Sequence, residues 1–157
     1  MKIYSLSILL LMLISASVFA QDEFLTGSVT ESQIREITVF DIYTVRYQPE
    51  EALIKKLNAV QDSIFIDVYM GTWCHDSKRE IPALFKIMET IDNPLISTSY
   101  TALEYKRRGP KEIIEKNKIK RTPTFIIYKN GKEVGRIIEE AKESIEADLY
   151  NIIIGDY

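Results

Sequence analysis

The chain holds one cysteine and one histidine, and they are adjacent: Trp73-Cys74-His75-Asp76-Ser77 follows a β-prone run, Ile64 to Met70, broken at Gly71. Beyond it, Ile81, Leu84, Phe85 and Met88 recur at helical spacing. The stretch therefore reads as strand, tight turn, helix, with Cys74 at the helix start. Unpaired backbone N–H groups and the positive end of the helix dipole favour an anion there, and a thiolate is one. A cysteine so placed is a nucleophile, whereas one packed in an apolar core is inert. His75, Asp76 and, on the preceding strand, Asp67 are candidates for tuning its ionisation. Neighbours at a helix start point in different directions, so His75 either shapes the field at the sulfur or lies in solvent. Asp76 opposes a thiolate by like charge while Lys78 and Arg79 favour it, and the sequence does not fix the sign of the sum. Ser77, one turn below Cys74, either donates a hydrogen bond to the sulfur or fills space. With neighbouring Cys and His and no second pair at ligand spacing, no metal centre is expected.

The elements that must hold these residues follow from pattern. Ile37, Val39, Phe40, Ile42, Val45 and Tyr47 predict a strand over about 37–47. Pro49 and two glutamates open a helix with Ala52, Leu53, Leu57 and Val60 as its buried stripe. The run 64–70 reads as a strand buried on both faces, with Asp67 the polar exception. The next helix, from about Cys74 to Ile91, carries Pro82 inside it and ends before Asn93-Pro94. A third strand is expected over 95–105, and a short helix over 112–116 after Gly109-Pro110. Residues 124–128 and 133–138 form a hairpin about Asn130-Gly131. Ile145, Leu149, Ile152 and Ile153 close the chain as an amphipathic helix. The expected order is β-α-β-α-β-α-β-β-α, an α/β fold with a central mixed sheet flanked by helices.

The first twenty residues are expected to be a cleaved signal peptide. Lys2 precedes an apolar run from Leu6 to Ile14, and Val18-Phe19-Ala20 ends in a small residue. The apolar run is short for a bilayer span, and the residue directly after Ala20 is Gln21 rather than a cysteine that could carry a lipid. Residues 21–36 read as a polar lead-in and 37–157 as one domain. The expected location is periplasmic or secreted. The net charge of −3 in 157 residues, one unit more negative without Lys2, argues against a nucleic-acid surface. Lys106-Arg107-Arg108, the one dense basic cluster, reads as a solvated loop. Exported proteins use cysteines mostly in pairs, so an odd one points to a reactive thiol or an intermolecular bond.

From about residue 50 onward the chain resembles the thioredoxin-like proteins. Trp73-Cys74-His75-Asp76-Ser77 stands where they have Trp-Cys-x-x-Cys. Arg121-Thr122-Pro123-Thr124 stands at their cis-proline, and 125–132 at their terminal hairpin. The resemblance implies that Cys74 attacks disulfides, that Trp73 shields it, and that Thr122 and Pro123 hold an extended substrate. It also implies partners that are cysteine-containing proteins or small thiols, and no cofactor. The sequence departs from the family twice. Ser77 replaces the resolving cysteine, so a mixed disulfide on Cys74 needs an external thiol. The family's buried acid lies six residues before the nucleophile, where this chain has Val68; Asp67 belongs to the other face unless a bulge intervenes. Three functions are expected to compete. They are monothiol disulfide exchange, a redox-inactive peptide-binding module, and a peroxide reductase, the last disfavoured because Thr72 lies two rather than three residues before Cys74.

Overall fold

A computed structural model describes residues 24–105 and 111–157. The expected signal peptide, Lys106-Arg107-Arg108 and Gly109-Pro110 lie outside the described residues. The elements are β1 (Gly27–Val29), α1 (Glu31–Arg35), α2 (Thr38–Arg46), α3 (Glu51–Asn58), β2 (Ile64–Met70), α4 (His75–Thr90), β3 (Ile96–Ala102), α5 (Lys111–Lys116), β4 (Thr124–Lys129), β5 (Lys132–Ile138) and α6 (Ile145–Ile154). One mixed sheet has the order β1-β3-β2-β4-β5. β2 runs parallel to β3 and antiparallel to β4, which puts it at the centre. This is the α/β architecture expected from the sequence, a central mixed sheet flanked by helices.

The start of the chain differs from the sequence reading. Residues 37–47 form α2 rather than a strand, and the lead-in supplies both the first strand, β1, paired antiparallel to β3, and a short helix. The residues of α2 that face the core are Phe40 and Thr44, four apart, with Ile37 and Tyr47 packed beside them. That is a helical period, hidden because Thr44 is polar and because Ile42, Tyr43 and Val45 are exposed at 41%, 48% and 67%. The Thr44 hydroxyl donates to the Phe40 carbonyl at 2.8 Å, which satisfies it inside the core. α3 buries the expected Leu57, with Val60 packed beside the core, but its second buried residue is Ile54, while Ala52 is exposed and Leu53 half-buried.

β2 divides its side chains cleanly. Ile64, Ile66, Val68 and Met70 enter the main core with Ile81, Leu84 and Phe85 of α4. Phe65, Asp67 and Tyr69 take the other face, where Tyr69 joins Leu103, Ile119 and Ile126. The β4–β5 hairpin turns at Asn130 and Gly131 with φ of 50° and 79°, the left-handed pair that a two-residue hairpin requires. α4 runs unbroken through the buried Pro82.

Two clasps fix the helices around α4. Arg35 of α1 bonds Asp41 of α2 at 2.8 Å, Glu31 at 3.1 Å, and Glu89 of α4. Glu146 of α6, 3% exposed, accepts from the Tyr47 hydroxyl at 2.7 Å and from the Glu50 backbone N–H at 3.0 Å.

One buried polar atom lacks such a clasp. The Tyr100 hydroxyl has no hydrogen-bond partner among the described residues, while its ring meets Phe85 edge to face at 5.2 Å. Tyr100→Phe keeps the ring contact and removes an unsatisfied group. We expect it to be neutral or stabilising by up to about 1 kcal/mol in urea melts. A loss above that amount refutes the assignment.

Candidate active site

The turn between β2 and α4 is built from backbone and two hydroxyls. The Cys74 N–H donates to the Gly71 carbonyl at 2.9 Å, closing the turn. Ser77, fully buried, accepts from the Gly71 N–H at 3.2 Å, and Thr72 accepts from the Leu25 N–H at 3.2 Å. The lead-in to β1 is therefore tied to the turn through Leu25, two residues before the strand, a link with no signal in the sequence. The expected bond from Ser77 to the Cys74 sulfur is not among those of the described residues. The bond that Ser77 does make anchors the turn.

Trp73 lies over Gly71. Its indole N–H donates to the Leu103 carbonyl at 3.0 Å, and its ring meets Tyr105 edge to face at 5.4 Å. Phe24 stacks on Tyr105 at 6.0 Å, extending the wall. A methyl group at residue 71 would sit 2.6 Å from the Trp73 ring. Gly71→Ala should therefore cost about 1–3 kcal/mol and shift Trp73 fluorescence, because the bicyclic ring has no flexible end to yield. An unshifted spectrum with unchanged melting contradicts the packing described.

Cys74 is the N-cap of α4, at φ −79° and ψ 131°, and makes no side-chain capping bond. Its sulfur lies 3.1 Å from the Thr122 carbonyl oxygen, to which the S–H donates. The Thr122–Pro123 peptide bond is cis, and both residues are buried at the start of β4. Residues 48 positions apart in the chain thus meet at one sulfur. Cys74 is 9% exposed, so the sulfur is recessed between the helix start and the proline loop rather than open on the surface. α4 leaves its first amide N–H groups without helical partners at this point, and the positive end of its dipole favours negative charge near the N-cap.

The remaining candidates sort by position. His75, exposed, opens α4 beside Cys74. Asp76 pairs with Arg79 at 3.4 Å, so its charge is partly answered within the helix. Arg79 also bonds Glu80 at 2.5 Å and Glu140 at 3.1 Å, a cluster the sequence did not disclose. Asp67 is not at the site. It lies on the far face of the sheet, accepting from the Tyr69 hydroxyl at 2.7 Å and the Ser99 hydroxyl at 2.6 Å. No bulge interrupts β2 there, so alternation holds and Val68 occupies the face toward α4. Burial first, then the Asp67 carboxylate, pushes the Tyr69 hydroxyl above its usual range. No group of three or more His, Cys, Asp or Glu suited to a metal ion occurs among the described residues.

Comparison with known proteins places this geometry. A family model described as "Thioredoxin" matches residues 22–149. Human thioredoxin is 24% identical over 106 residues, covering 68% of this chain and 95% of its own length. Thioredoxin-1 of Saccharomyces cerevisiae is 27% identical over 78 residues, covering 50% of this chain and 70% of its own. Among solved structures, a Pseudomonas aeruginosa protein of unknown function matches with a TM-score of 0.60 at 15% identity, covering 83% of this chain and 84% of its own. An HIV epitope-scaffold matches at 0.59 and 14%, with the same coverage. These two likenesses are of fold.

Proposed function

Because this chain belongs to the thioredoxin family, whose chemistry is thiol-disulfide exchange, we propose that it is an exported monothiol exchange protein acting through Cys74. The observation that carries this reading is the Cys74 sulfur at the start of α4, 3.1 Å from the Thr122 carbonyl that opens β4. A partner's disulfide brought along Thr122 and Pro123 meets that sulfur. The Cys74 thiolate attacks one sulfur of the partner disulfide, forming Cys74–S–S–R and releasing the other sulfur as a thiolate. With Ser77 in place of a second thiol, an external thiolate completes the cycle. It attacks R's sulfur, takes R into a new disulfide and returns the Cys74 thiolate. The two steps sum to an exchange with no net oxidation. That suits isomerisation or removal of a small-thiol adduct better than net dithiol reduction. In this reading Trp73, held by the Leu103 carbonyl next to Cys74, shields the sulfur, and His75 and Asp76 tune the charge around it.

The recess of Cys74 supports a second reading, a redox-inactive module that holds a peptide beside Pro123. One experiment separates them. The chain is expressed in its host, quenched with acid, alkylated and run without reductant. Exchange predicts adducts that reductant releases and Cys74→Ala lacks, in an exported fraction. No adduct, together with alkylation of Cys74 as slow as that of a buried thiol, favours the binding module.

A further inference from the structure

Five of the six helices among the described residues pack on one face of the sheet. Ile34 of α1, Phe40 of α2, Ile54 of α3, Leu84 of α4 and Leu149 of α6 all enter the core that holds Ile66 and Val68. The opposite face is covered at one end, where Ile113 and Ile114 of α5 and the following Ile119 close over Tyr69 and Ile126. Its other end is open. Phe65 is 38% exposed, and Asp67, Ser99 and Tyr128 are half-buried.

Asp67 carries the chemistry of this open end. Its Oδ2 accepts from the Tyr69 hydroxyl at 2.7 Å and its Oδ1 from the Ser99 hydroxyl at 2.6 Å. A carboxylate offers about four acceptor sites, two per oxygen, so one stays open on each. The other charges at this end answer one another. Arg136 donates to Glu133 through Nε at 2.5 Å and Nη2 at 3.0 Å, and to the Asn117 carbonyl through Nη1 at 2.6 Å. Arg136, with a smaller push from Lys118, holds the Glu133 carboxyl below its usual range. No lysine or arginine among the described residues pairs with Asp67. Phe65 of β2 and Tyr128 of β4 stand directly across from each other with ring centroids 6.0 Å apart. They occupy the next same-face position of the sheet, about 7 Å from Asp67 along the strand. Two open acceptor sites beside two rings fit a guanidinium, whose parallel N–H groups engage both carboxylate oxygens while its plane stacks on an aromatic face.

We propose that this face binds an arginine side chain of a partner polypeptide, held by Asp67 and stacked on the Phe65–Tyr128 pair. An anionic lipid surface would be repelled by the carboxylate, and a second copy stacked face to face would present it with a like charge. α4, which carries Cys74, packs on the other face, so a partner docked here leaves the sulfur open whatever its chemistry.

The chain carrying Cys74→Ala, isotopically labelled, is titrated with the acetylated peptides Gly-Arg-Leu-Gly, Gly-Lys-Leu-Gly and Gly-Gln-Leu-Gly and followed by amide chemical shifts. We expect the arginine peptide to shift the amides of Phe65, Asp67, Ser99 and Tyr128, and to bind at least about threefold tighter than the glutamine peptide at low salt. That advantage should shrink toward unity at about 0.5 M salt. The lysine peptide should fall between the two. Asp67→Asn should remove the arginine advantage, and Phe65→Ser should weaken the arginine peptide with the carboxylate intact. Trp73 fluorescence and far-ultraviolet circular dichroism report folding, and the Phe65 variant carries the test if Asp67→Asn does not fold. No shift at this face, equal affinities for arginine and glutamine, or an advantage that survives both variants overturns the proposal. Lysine as tight as arginine refutes the guanidinium. Shifts confined to the groove of about 700 Å³ between α2, the first turns of α4 and the 140–145 loop, which Tyr43 and Arg46 help to line, also overturn it. So does binding that appears only in Arg107→Gln with Arg108→Gln, which would give Asp67 to this chain's own arginines. Sedimentation showing a dimer that the arginine peptide dissolves would give it to a second copy and overturn the proposal equally.

Discussion

Ser77→Cys is expected to turn this chain into a reductase that needs no added thiol for a single turnover. Wild type should leave insulin disulfides intact in the absence of small thiols, because each Cys74 adduct waits for a second sulfur from solution. Residue 77 lies three positions after the N-cap, on the first turn of α4, and its side chain already points back at the turn, accepting from the Gly71 N–H at 3.2 Å. A thiol there attacks Cys74–S–S–R within the molecule, and such proximity should raise the rate of release by about a hundredfold or more. Insulin turbidity with the pre-reduced variant in stoichiometric excess measures it. Adding Cys74→Ala to Ser77→Cys must return activity to the wild-type baseline. If it does not, the nucleophile has been misassigned. If Ser77→Cys alone stays inactive while folded and alkylatable at two thiols, the first turn of α4 does not bring the two sulfurs together.

Phe85→Ala should be the most damaging single change to the fold. Phe85 is fully buried on α4 and meets Tyr100 of β3 edge to face at 5.2 Å, so it fastens the helix that carries Cys74 to the sheet beneath it. Truncating a buried phenylalanine costs about 3–5 kcal/mol, from lost transfer energy and from the cavity left behind. That is a large share of the roughly 5–15 kcal/mol that holds a small domain together. Urea unfolding followed by Trp73 fluorescence gives the value, and Cys74 alkylation should accelerate in parallel as α4 loosens. A loss under about 1.5 kcal/mol would show that the interface between α4 and β3 closes around the gap. Tyr100→Phe, on the other side of the same contact, should move stability little, so the pair distinguishes ring packing from the hydroxyl.

The parts of this fold that were legible in the sequence are those where local pattern and tertiary environment agree. β2 was legible because it is central and apolar except at Asp67, and the hairpin because Asn130 and Gly131 occupy a conformation few residues tolerate. The turn with Cys74 was legible because Gly71 and Trp73 punctuate the switch from strand to helix. The failure at 37–47 has a physical cause. β-branched and aromatic residues prefer strands as a class, yet here helical spacing of Ile37, Phe40, Thr44 and Tyr47 prevailed through packing on α4. The face of Asp67 was legible because alternation across β2 is a local rule, and its bonds to Tyr69 and Ser99 there remove it as a candidate for tuning Cys74. What sequence could not disclose depends on contacts between distant segments. These include Trp73 with Leu103, Leu25 with Thr72, and the groove whose walls α2 and the 140–145 loop supply. Misreading α2 alone was enough to conceal Arg46 and Tyr43 as its lining.

The recess of Cys74 also governs what the sulfur cannot meet. A disulfide brings two sulfurs to about 2.05 Å and their β-carbons to about 3.8 Å. Two folded copies, each with its sulfur set back between a helix and a proline loop, should therefore stay monomeric on non-reducing gels after oxidation. A slender, unfolded stretch of polypeptide or a small molecule slips in where a twin is turned away. A covalent dimer under those conditions would show instead that the opening admits a twin.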